Sequence, residues 1–231
     1  LSKQADWDDR APQSSPEGIL DSLDDLDQLA EPGHDSRLDT MVEVTFKDPE
    51  DVDCRLITGD AGTGKTYTVR ERAKTTKGMK LCATTGIAAV NLDTATLNAV
   101  LKFFNTASLV QNFTNGLLTR RLIELHADQG LRTLAIDEIS MMPAAQLDVL
   151  YMALQAVNQR LGDQPIRLIL TGDFAQLPPV STPEDPAEWC FMAPCWEVIG
   201  RNITKLTKVW RQSDPQFLAG LNLARRGQGL E

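Results

Sequence analysis

The chain has 231 residues, of which 42% are apolar, and its formal net charge is −9. This length and composition favour one folded domain with appendages over wholesale disorder. The sequence contains no long uninterrupted apolar run, so we expect no membrane span. The acidic N-terminus also argues against a secretory signal or an organellar transit peptide. We therefore expect a cytoplasmic or nuclear protein that is neither secreted nor inserted in a membrane.

Acidic residues are concentrated in an N-terminal arm, residues 1–53, which holds sixteen acidic and four basic side chains. Residues 54–231 hold sixteen acidic and nineteen basic ones, a balance that permits nucleic-acid binding without indicating it. Within the arm, a leucine stripe over residues 15–31 predicts a short amphipathic helix that begins with Ser15 and Pro16. This helix could dock on the protein's own core, recruit a partner protein or mask a basic DNA groove.

The remainder of the chain alternates between short apolar runs and helical patterns. The apolar runs, which predict buried strands, lie at residues 54–58, 81–84, 131–136 and 167–171. The helical patterns lie at residues 65–77, 86–104, 116–127 and 143–161. Continuous apolar strands separated by helices predict an α/β domain with a central parallel sheet covered by helices on both faces. Ligands of such sheets bind at the carboxyl ends of the strands.

Residues 59–66, GDAGTGKT, match the phosphate-loop pattern G-x-x-x-x-G-K-[ST] between a predicted strand and a predicted helix. Glycines let backbone N–H groups converge on phosphate oxygens, and the helix presents its positive end to the same anion. Lys65 is expected to reach the β- and γ-phosphates, and the Thr66 hydroxyl to bind Mg²⁺. The predicted nucleotide contacts are Gly59, Ala61, Gly62, Thr63, Gly64, Lys65 and Thr66.

Two carboxylates, Asp137 and Glu138, end the apolar run that follows about seventy residues later. In phosphoryl-transfer sites one carboxylate holds the Mg²⁺ shell and another orients or deprotonates the attacking water. We assign these tasks to Asp137 and Glu138, respectively. The pair favours hydrolysis of the nucleotide over mere binding, so these residues predict a site that hydrolyses a nucleoside triphosphate with Mg²⁺.

Four cysteines (Cys54, Cys82, Cys190, Cys195) form no CxxC pair, and the chain has only two histidines. Zinc sites commonly combine closely spaced Cys and His ligands. Buried reduced thiols are therefore the better interpretation of these cysteines.

Further segments resemble one family of motor proteins, the superfamily-one 5′→3′ DNA helicases of the PIF and RecD-like branch, which includes the phage Dda enzyme. Residues 168–180, LILTGDFAQLPPV, resemble motif III of that branch. Residues 83–89 resemble its motif Ia, residues 137–142 its motif II, and residues 206–212 its motif IV. The resemblance covers about residues 54–231 and implies a RecA-like P-loop NTPase domain.

The resemblance implies roles for individual residues. Gln176 would contact the γ-phosphate and couple it to a DNA-facing segment, and Arg211 would contact it from the edge of a second motor domain. The implied contacts to single-stranded DNA are Thr84, Thr85, Gly86, Pro178 and Pro179. Hydroxyls and backbone amides suit this task because they contact phosphates without selecting bases. A cap at the end of a strand is the alternative role for the threonine pair.

The sequence departs from the branch at two places. Leu97-Asn98 stands where relatives often place a DNA-contacting His after motif Ia. Residues 42–53 lack the Gln that usually reads adenine before the phosphate loop. Relatives also insert a duplex-splitting wedge, here within about residues 101–130, flanked by Phe103, Phe104 and Phe113. These phenylalanines could equally belong to the core.

The resulting domain plan has three parts: an acidic extension (1–53), a RecA-like ATP-binding domain (54–205), and motif IV with the start of a second motor domain (206–231). We expect the rest of a longer chain to supply the second RecA-like domain, and the fragment alone to be weakly active or inactive. The main functional interpretation is an ATP-dependent 5′→3′ DNA helicase acting in replication, repair or recombination. A nucleotide-switched DNA-binding regulator without unwinding activity is the alternative. The motor part of a helicase–nuclease is a third reading, although these residues show no nuclease cluster.

Overall fold

One sheet of six parallel strands organises the protein, in the order β3-β2-β4-β5-β1-β6. The computed structural model describes residues 52–183, 186–210, 220 and 223–225. The strands are β1 (Cys54–Gly59), β2 (Met79–Ala83), β3 (Ala95–Thr96), β4 (Thr133–Asp137), β5 (Arg167–Gly172) and β6 (Ile203–Leu206). The predicted α/β class with a parallel sheet is confirmed. The arm helix predicted at residues 15–31 and the predicted Arg211 contact lie outside the described residues.

Helices connect most of the strands. They are α1 (Lys65–Thr75), α2 (Gly86–Asn91), α3 (Leu97–Leu101), α4 (Thr106–Thr114), α5 (Leu117–Gln129), α6 (Ala144–Leu161) and α7 (Trp196–Ile199). Two 3-10 turns, Ile139–Met141 and Cys190–Met192, complete the described elements. Within these residues, no helix is both long enough and apolar enough to cross a bilayer.

The core surrounds the central strands. All five residues of β4 are buried, as expected for a strand with a neighbour on either side and apolar cover, whereas β6 alternates exposed and buried residues at the sheet edge. In α6 buried residues recur at helical spacing and belong to the main core cluster, among them Leu147, Leu150, Tyr151, Leu154 and Val157. All four cysteines are buried free thiols, as the sequence predicted.

The prediction of one continuous helix over residues 86–104 is wrong. Helix α2 ends at Asn91, Asp93 adopts a left-handed backbone conformation (φ 51°), and β3 follows before α3 begins. The Thr94 hydroxyl donates a hydrogen bond to the Leu81 carbonyl oxygen, which holds the interruption against β2. The Thr96 side chain then accepts a hydrogen bond from the Ala99 N–H and caps α3.

The predicted wedge region, about residues 101–130, is mostly helical. Helix α4 begins with a capping box in which Asn105 and Ser108 bond each other's backbone N–H groups, and α4 and α5 both pack on α6. Phe103 is buried and Phe113 packs against the core, whereas 92% of the Phe104 side chain surface is exposed. The core interpretation therefore holds for Phe103 and Phe113, and Phe104 projects into solvent.

Candidate nucleotide and nucleic-acid site

The phosphate loop lies at the carboxyl end of β1 and leads directly into α1. Gly59, Gly62 and Gly64 have φ angles of 153°, 84° and 87°, which residues with a Cβ rarely adopt. A Cβ at Gly59 would lie 2.4 Å from the Leu206 carbonyl oxygen, so glycine also permits the close approach of β6. Inside the loop, the buried Thr63 hydroxyl donates a 2.8 Å hydrogen bond to the Asp60 carbonyl oxygen. The conformation of the loop is thus stabilised by a hydrogen bond to its own backbone.

Lys65 is the first residue of α1, and its ammonium group bends back over the loop. It donates hydrogen bonds of 2.7 Å to the Gly59 carbonyl oxygen and 3.0 Å to the Asp60 carbonyl oxygen. Burial lowers the pKa of Lys65 below its ordinary value, although Asp173 and Glu138 oppose this effect. The ammonium is therefore held at the loop by neutral carbonyls that anionic phosphates can replace.

Asp137 and Glu138 stand at the carboxyl end of β4, as predicted, but in different environments. The Asp137 carboxylate is buried and accepts a hydrogen bond from the Thr171 hydroxyl of β5. Glu138 is half-buried and has a left-handed backbone conformation (φ 59°, ψ 44°). Burial raises the pKa of Glu138, and the adjacent Asp137 carboxylate adds to this rise. These environments suit a fixed ligand and a proton acceptor, respectively.

Asp173 and Arg225 belong to the same site, although the sequence analysis assigned neither a role. The Arg225 guanidinium donates two hydrogen bonds, of 2.8 and 2.7 Å, to the two carboxylate oxygens of Asp173. It also lies 3.0 Å from the Asp60 carboxylate. Burial alone would raise the pKa of Asp173, yet the hydrogen bonds from Arg225 and Ala175 hold it below its ordinary value. Asp173 stood within the recognised motif III, whereas no local pattern marks Arg225.

The turn after β5 carries Gln176. Its backbone N–H donates a 3.0 Å hydrogen bond to the Asp173 carbonyl oxygen, and its side chain is exposed. Phe174 anchors the turn by packing edge-on against Trp189, Phe191 and Trp196 at ring-centroid distances of 5.4–6.4 Å. The position of Gln176 is therefore set by an aromatic cluster on the protein side of the turn.

The segment after Gln176 presents apolar side chains to solvent. Leu177 and Val180 are 68% and 74% exposed, and Pro178 is exposed as well. Pro179, by contrast, is buried. The outer surface of this segment is thus formed by Leu177, Pro178 and Val180, with Pro179 beneath it.

The threonines predicted to contact DNA follow β2 at the same edge of the sheet. The Thr85 side chain accepts a 3.2 Å hydrogen bond from the Ala88 N–H and caps the amino end of α2, whereas the alternative suggested by the sequence was a cap at the end of a strand. The Thr84 hydroxyl donates a 2.8 Å hydrogen bond to the Glu138 carbonyl oxygen. Gly86 is exposed, and a Cβ there would meet nothing within 4 Å. This end of α2 therefore offers an open surface, and Thr84 connects it to the turn that carries Glu138.

Residues after β6 return to the phosphate loop. The Trp210 N–H donates a 2.9 Å hydrogen bond to the Gly62 carbonyl oxygen, and its indole lies 3.8 Å from the position of a Cβ on Gly64. The Lys208 ammonium stands 3.9 Å from the centre of the Trp210 ring. The segment that resembles motif IV therefore contacts the phosphate loop through Trp210, which precedes Arg211 in the sequence.

Comparison with known proteins agrees with this arrangement. A PIF1-like helicase domain is matched across residues 37–219. The chain belongs to the PIF1-like helicase family. Among curated members of the family, the ATP-dependent DNA helicase PIF1 of Homo sapiens is 36% identical over 179 residues, covering 75% of this chain and 27% of the human one. The ATP-dependent DNA helicase Pif1 of Bdellovibrio bacteriovorus is 35% identical over 186 residues, covering 76% and 40%.

Solved Pif1 helicases share the fold. The crystal structure of Pif1 from Candida albicans is similar with a TM-score of 0.57 and 30% identity, over 75% of this chain and 40% of that one. Pif1 from Bacteroides, in complex with ADP-AlF3 and single-stranded DNA, has a TM-score of 0.57 and 27% identity, over 78% and 44%. The predicted resemblance to this helicase branch and the RecA-like fold are confirmed. The chain spans 27% to 40% of the length of the two curated relatives.

Proposed function

We propose that this chain is the ATP-binding motor domain of a DNA helicase, which couples ATP hydrolysis to 5′→3′ movement on single-stranded DNA and to duplex unwinding. The observation that carries the proposal is the convergence of Lys65, Asp137, Glu138 and Asp173 at the carboxyl edge of one parallel sheet. Open α/β sheets bind their ligands at this edge. Because the chain belongs to the PIF1-like helicase family, we expect ATP to be the substrate of this site.

In the proposed reaction, groups of this chain bind the phosphates, orient the attacking water and accept its proton. The loop N–H groups and Lys65 hold the β- and γ-phosphates, with Lys65 exchanging its carbonyl partners for phosphate oxygens. Glu138 orients the attacking water and accepts its proton, a task favoured by a pKa raised through burial. Gln176 and Arg211 are proposed to contact the γ-phosphate from the two sides of the cleft between motor domains.

Mg²⁺ fits the donors at this site. Thr66 supplies a hydroxyl and Asp137 a buried carboxylate, and Mg²⁺ in nucleotide sites prefers such oxygen ligands, with phosphates and water completing its shell. When bound there by Thr66 and Asp137, the ion would supply positive charge that offsets the charge developing on the phosphates. Thr171 would keep the Asp137 carboxylate oriented, because its hydroxyl already donates to that carboxylate.

Single-stranded DNA is proposed to cross the surface formed by Thr84, Thr85, Gly86 and the segment from Leu177 to Val180. The Bacteroides relative is described as bound to single-stranded DNA, which supports this partner. Because Thr85 already caps α2, its backbone and that of Gly86 are the better donors to phosphate oxygens. The exposed apolar side chains of Leu177 and Val180 would contact sugars or bases.

The test of the nucleotide site uses Lys65→Ala. Loss of the loop cation should weaken binding of a fluorescent ATP analogue with Mg²⁺ by about 10²-fold or more. Arg201→Ala is the matched control, because it removes the same charge from an exposed ion pair with Glu197. Equal affinity of Lys65→Ala and the wild-type chain would refute the phosphate-loop assignment. Strand separation by a longer protein with both motor domains tests the helicase activity itself.

Further partners are also proposed. A second RecA-like domain would complete the ATP site, and the acidic arm (residues 1–53) would bind a protein or mask the DNA surface. Deleting residues 1–40 should tighten single-stranded DNA binding at low salt if the arm masks that surface, with the gain shrinking as salt rises. Unchanged affinity at low salt would return the arm to the role of a linker or of a docking segment for a partner protein. A DNA helicase would work in the nucleus or at the nucleoid.

A further inference from the structure

The Asp173 carboxylate is shared by two cations of the nucleotide site. Its side chain is 3% exposed, and both oxygens accept hydrogen bonds from the Arg225 guanidinium. One oxygen also accepts a 3.1 Å hydrogen bond from the Ala175 N–H. The Lys65 ammonium lies 3.9 Å from the other oxygen, beyond hydrogen-bonding distance. Asp173 is therefore satisfied chiefly by Arg225, with Lys65 beside it.

This arrangement matters because Lys65 has two competing partners. A buried carboxylate needs a cation or several hydrogen bonds, since its ionised form is poorly solvated there. The phosphates of a nucleotide need the same Lys65 ammonium. A planar guanidinium can bond both oxygens of a carboxylate at once, whereas an ammonium cannot match that geometry. Arg225 is thus the better partner for Asp173, and it leaves Lys65 with the carbonyl oxygens of Gly59 and Asp60.

We infer that Arg225 is a positioning residue of the nucleotide site, which occupies the Asp173 carboxylate so that Lys65 remains available to the phosphates. The inference rests on the proposed nucleotide binding. It adds Arg225, which lies 52 positions from Asp173 in the sequence, to the nucleotide site. Without Arg225, the ammonium of Lys65 would be drawn onto Asp173. A nucleotide would then have to break an ion pair in order to bind.

The same guanidinium also joins two parts of the site. Its contact with the Asp60 carboxylate connects the phosphate loop to the end of β5, where Asp173 begins the turn that carries Gln176. The Arg225 side chain is 20% exposed, so its charges are screened less than those of a surface pair. Its hydrogen bonds raise the pKa of Arg225, so it remains charged wherever the protein is folded.

The experiment measures the dissociation constant of Mg²⁺ and N-methylanthraniloyl-ATP for the whole 231-residue chain and four variants. Arg225→Ala should weaken binding about tenfold or more, because Asp173 then competes for Lys65. Arg225→Ala combined with Asp173→Asn should recover most of that loss, because the competing charge is gone. Arg225→Lys should recover only part of that loss, because an ammonium keeps the charge but cannot form both hydrogen bonds to Asp173. Arg201→Ala controls for the lost charge.

The outcomes separate the inference from the proposed function. Failure of the wild-type chain to bind the analogue would overturn the nucleotide site itself. Normal binding by Arg225→Ala would overturn the role of Arg225 while leaving the nucleotide site standing. Equally weak binding by Arg225→Ala and by the double variant would also overturn it, because removing the Asp173 charge does not repair a structural defect or a lost direct contact with phosphate. Circular dichroism of each variant confirms that it is folded.

Discussion

The Thr84 hydroxyl donates a 2.8 Å hydrogen bond to the carbonyl oxygen of Glu138. The Thr84 N–H, in turn, donates a 3.1 Å hydrogen bond to the Asp137 carbonyl oxygen. These bonds join the end of β2, where DNA contact is proposed, to the turn that carries the proposed water-activating carboxylate. A shift of Thr84 on binding DNA would therefore displace Glu138 directly. The left-handed backbone conformation of Glu138 leaves this residue little conformational freedom.

The first prediction removes that hydroxyl. Thr84→Val keeps the shape of the side chain and should lower the free energy of unfolding by about 1 kcal/mol, the usual contribution of one hydrogen bond. In the longer protein with both motor domains, single-turnover ATP hydrolysis should fall severalfold while nucleotide affinity is retained, because the Glu138 turn is loosened and the phosphate loop is not. Thr75→Val is the control, since its hydroxyl makes exposed bonds within α1. Identical hydrolysis rates in Thr84→Val and the wild type would contradict the proposed connection.

A second prediction separates binding from chemistry at Glu138. Glu138→Gln leaves Lys65 and Asp137 in place, so the affinity for the ATP analogue with Mg²⁺ should change little. In the longer protein with both motor domains, hydrolysis per bound nucleotide should fall about 10²-fold or more, because the amide cannot accept the proton of the attacking water. The measurement is single-turnover hydrolysis at saturating enzyme. Loss of binding with an unchanged rate per bound nucleotide would mean that the roles of Asp137 and Glu138 are reversed.

The buried thiols predict a pH dependence of stability. Burial raises the pKa of Cys82 to about 12, whereas a cysteine thiol in the unfolded chain has a pKa of about 8.5. Above that pH the unfolded chain loses a proton that the folded chain keeps, so stability falls as pH rises and continues to fall until the folded pKa is reached. Between pH 8 and 10 this one thiol should cost about 2 kcal/mol of unfolding free energy.

Cys82→Ala isolates this effect. Urea denaturation of the wild type and the variant at the two pH values should show that the variant loses about 2 kcal/mol less on going to the higher pH. The remaining decline is expected from other groups, including Cys190 and Cys195, whose pKa values burial also raises to about 12. Parallel declines in both proteins would show that Cys82 ionises as readily in the folded state as in the unfolded one.

A fourth prediction contrasts two left-handed glycines at the amino edge of the sheet. Gly78 has φ 77°, and a Cβ there would lie 2.5 Å from the Gly130 carbonyl oxygen. Gly130 has φ 66°, but a Cβ there would meet nothing within 4 Å. Gly78→Ala should therefore cost roughly 2–4 kcal/mol, combining backbone strain with a backbone clash, and Gly130→Ala only about 1 kcal/mol. Chemical denaturation of both variants tests the difference, and equal losses would show that the clash is relieved by a small backbone shift.

The sequence predicted the parts of the fold that local patterns specify. The strands β1, β4 and β5 are apolar runs that end in glycine or carboxylates, and the phosphate loop is a continuous motif, so each could be identified from adjacent residues. Strand β6 alternates over four residues only, and it was missed because so short a pattern resembles a loop. The interruption of the 86–104 helix depends on the hydrogen bond between Thr94 and Leu81, which a single-sequence pattern does not reveal.

For the site as well, the sequence predicted the residues that belong to local motifs. Lys65, Asp137 and Glu138 followed from motif chemistry, and their positions at one edge of the sheet followed from parallel topology. Arg225 could not be found in this way. Its contact with Asp173 joins residues 52 positions apart, and nothing in its neighbours distinguishes it from an ordinary surface arginine. Long-range pairs of this kind depend on how separate segments pack, which local periodicity does not encode.

The pairing of β1 with β6 has a mechanical consequence. The two strands run in the same direction, in register from Leu56 with Ile203 to Gly59 with Leu206. A pulling force transmitted along the chain beyond Leu206 would load this ladder in shear, so that its hydrogen bonds share the tension instead of opening one at a time. The load would be delivered at Gly59, the first residue of the phosphate loop, where the Leu206 backbone leaves no room for a side chain. Tension on β6 and the shape of the phosphate loop are thereby linked through a stiff connection.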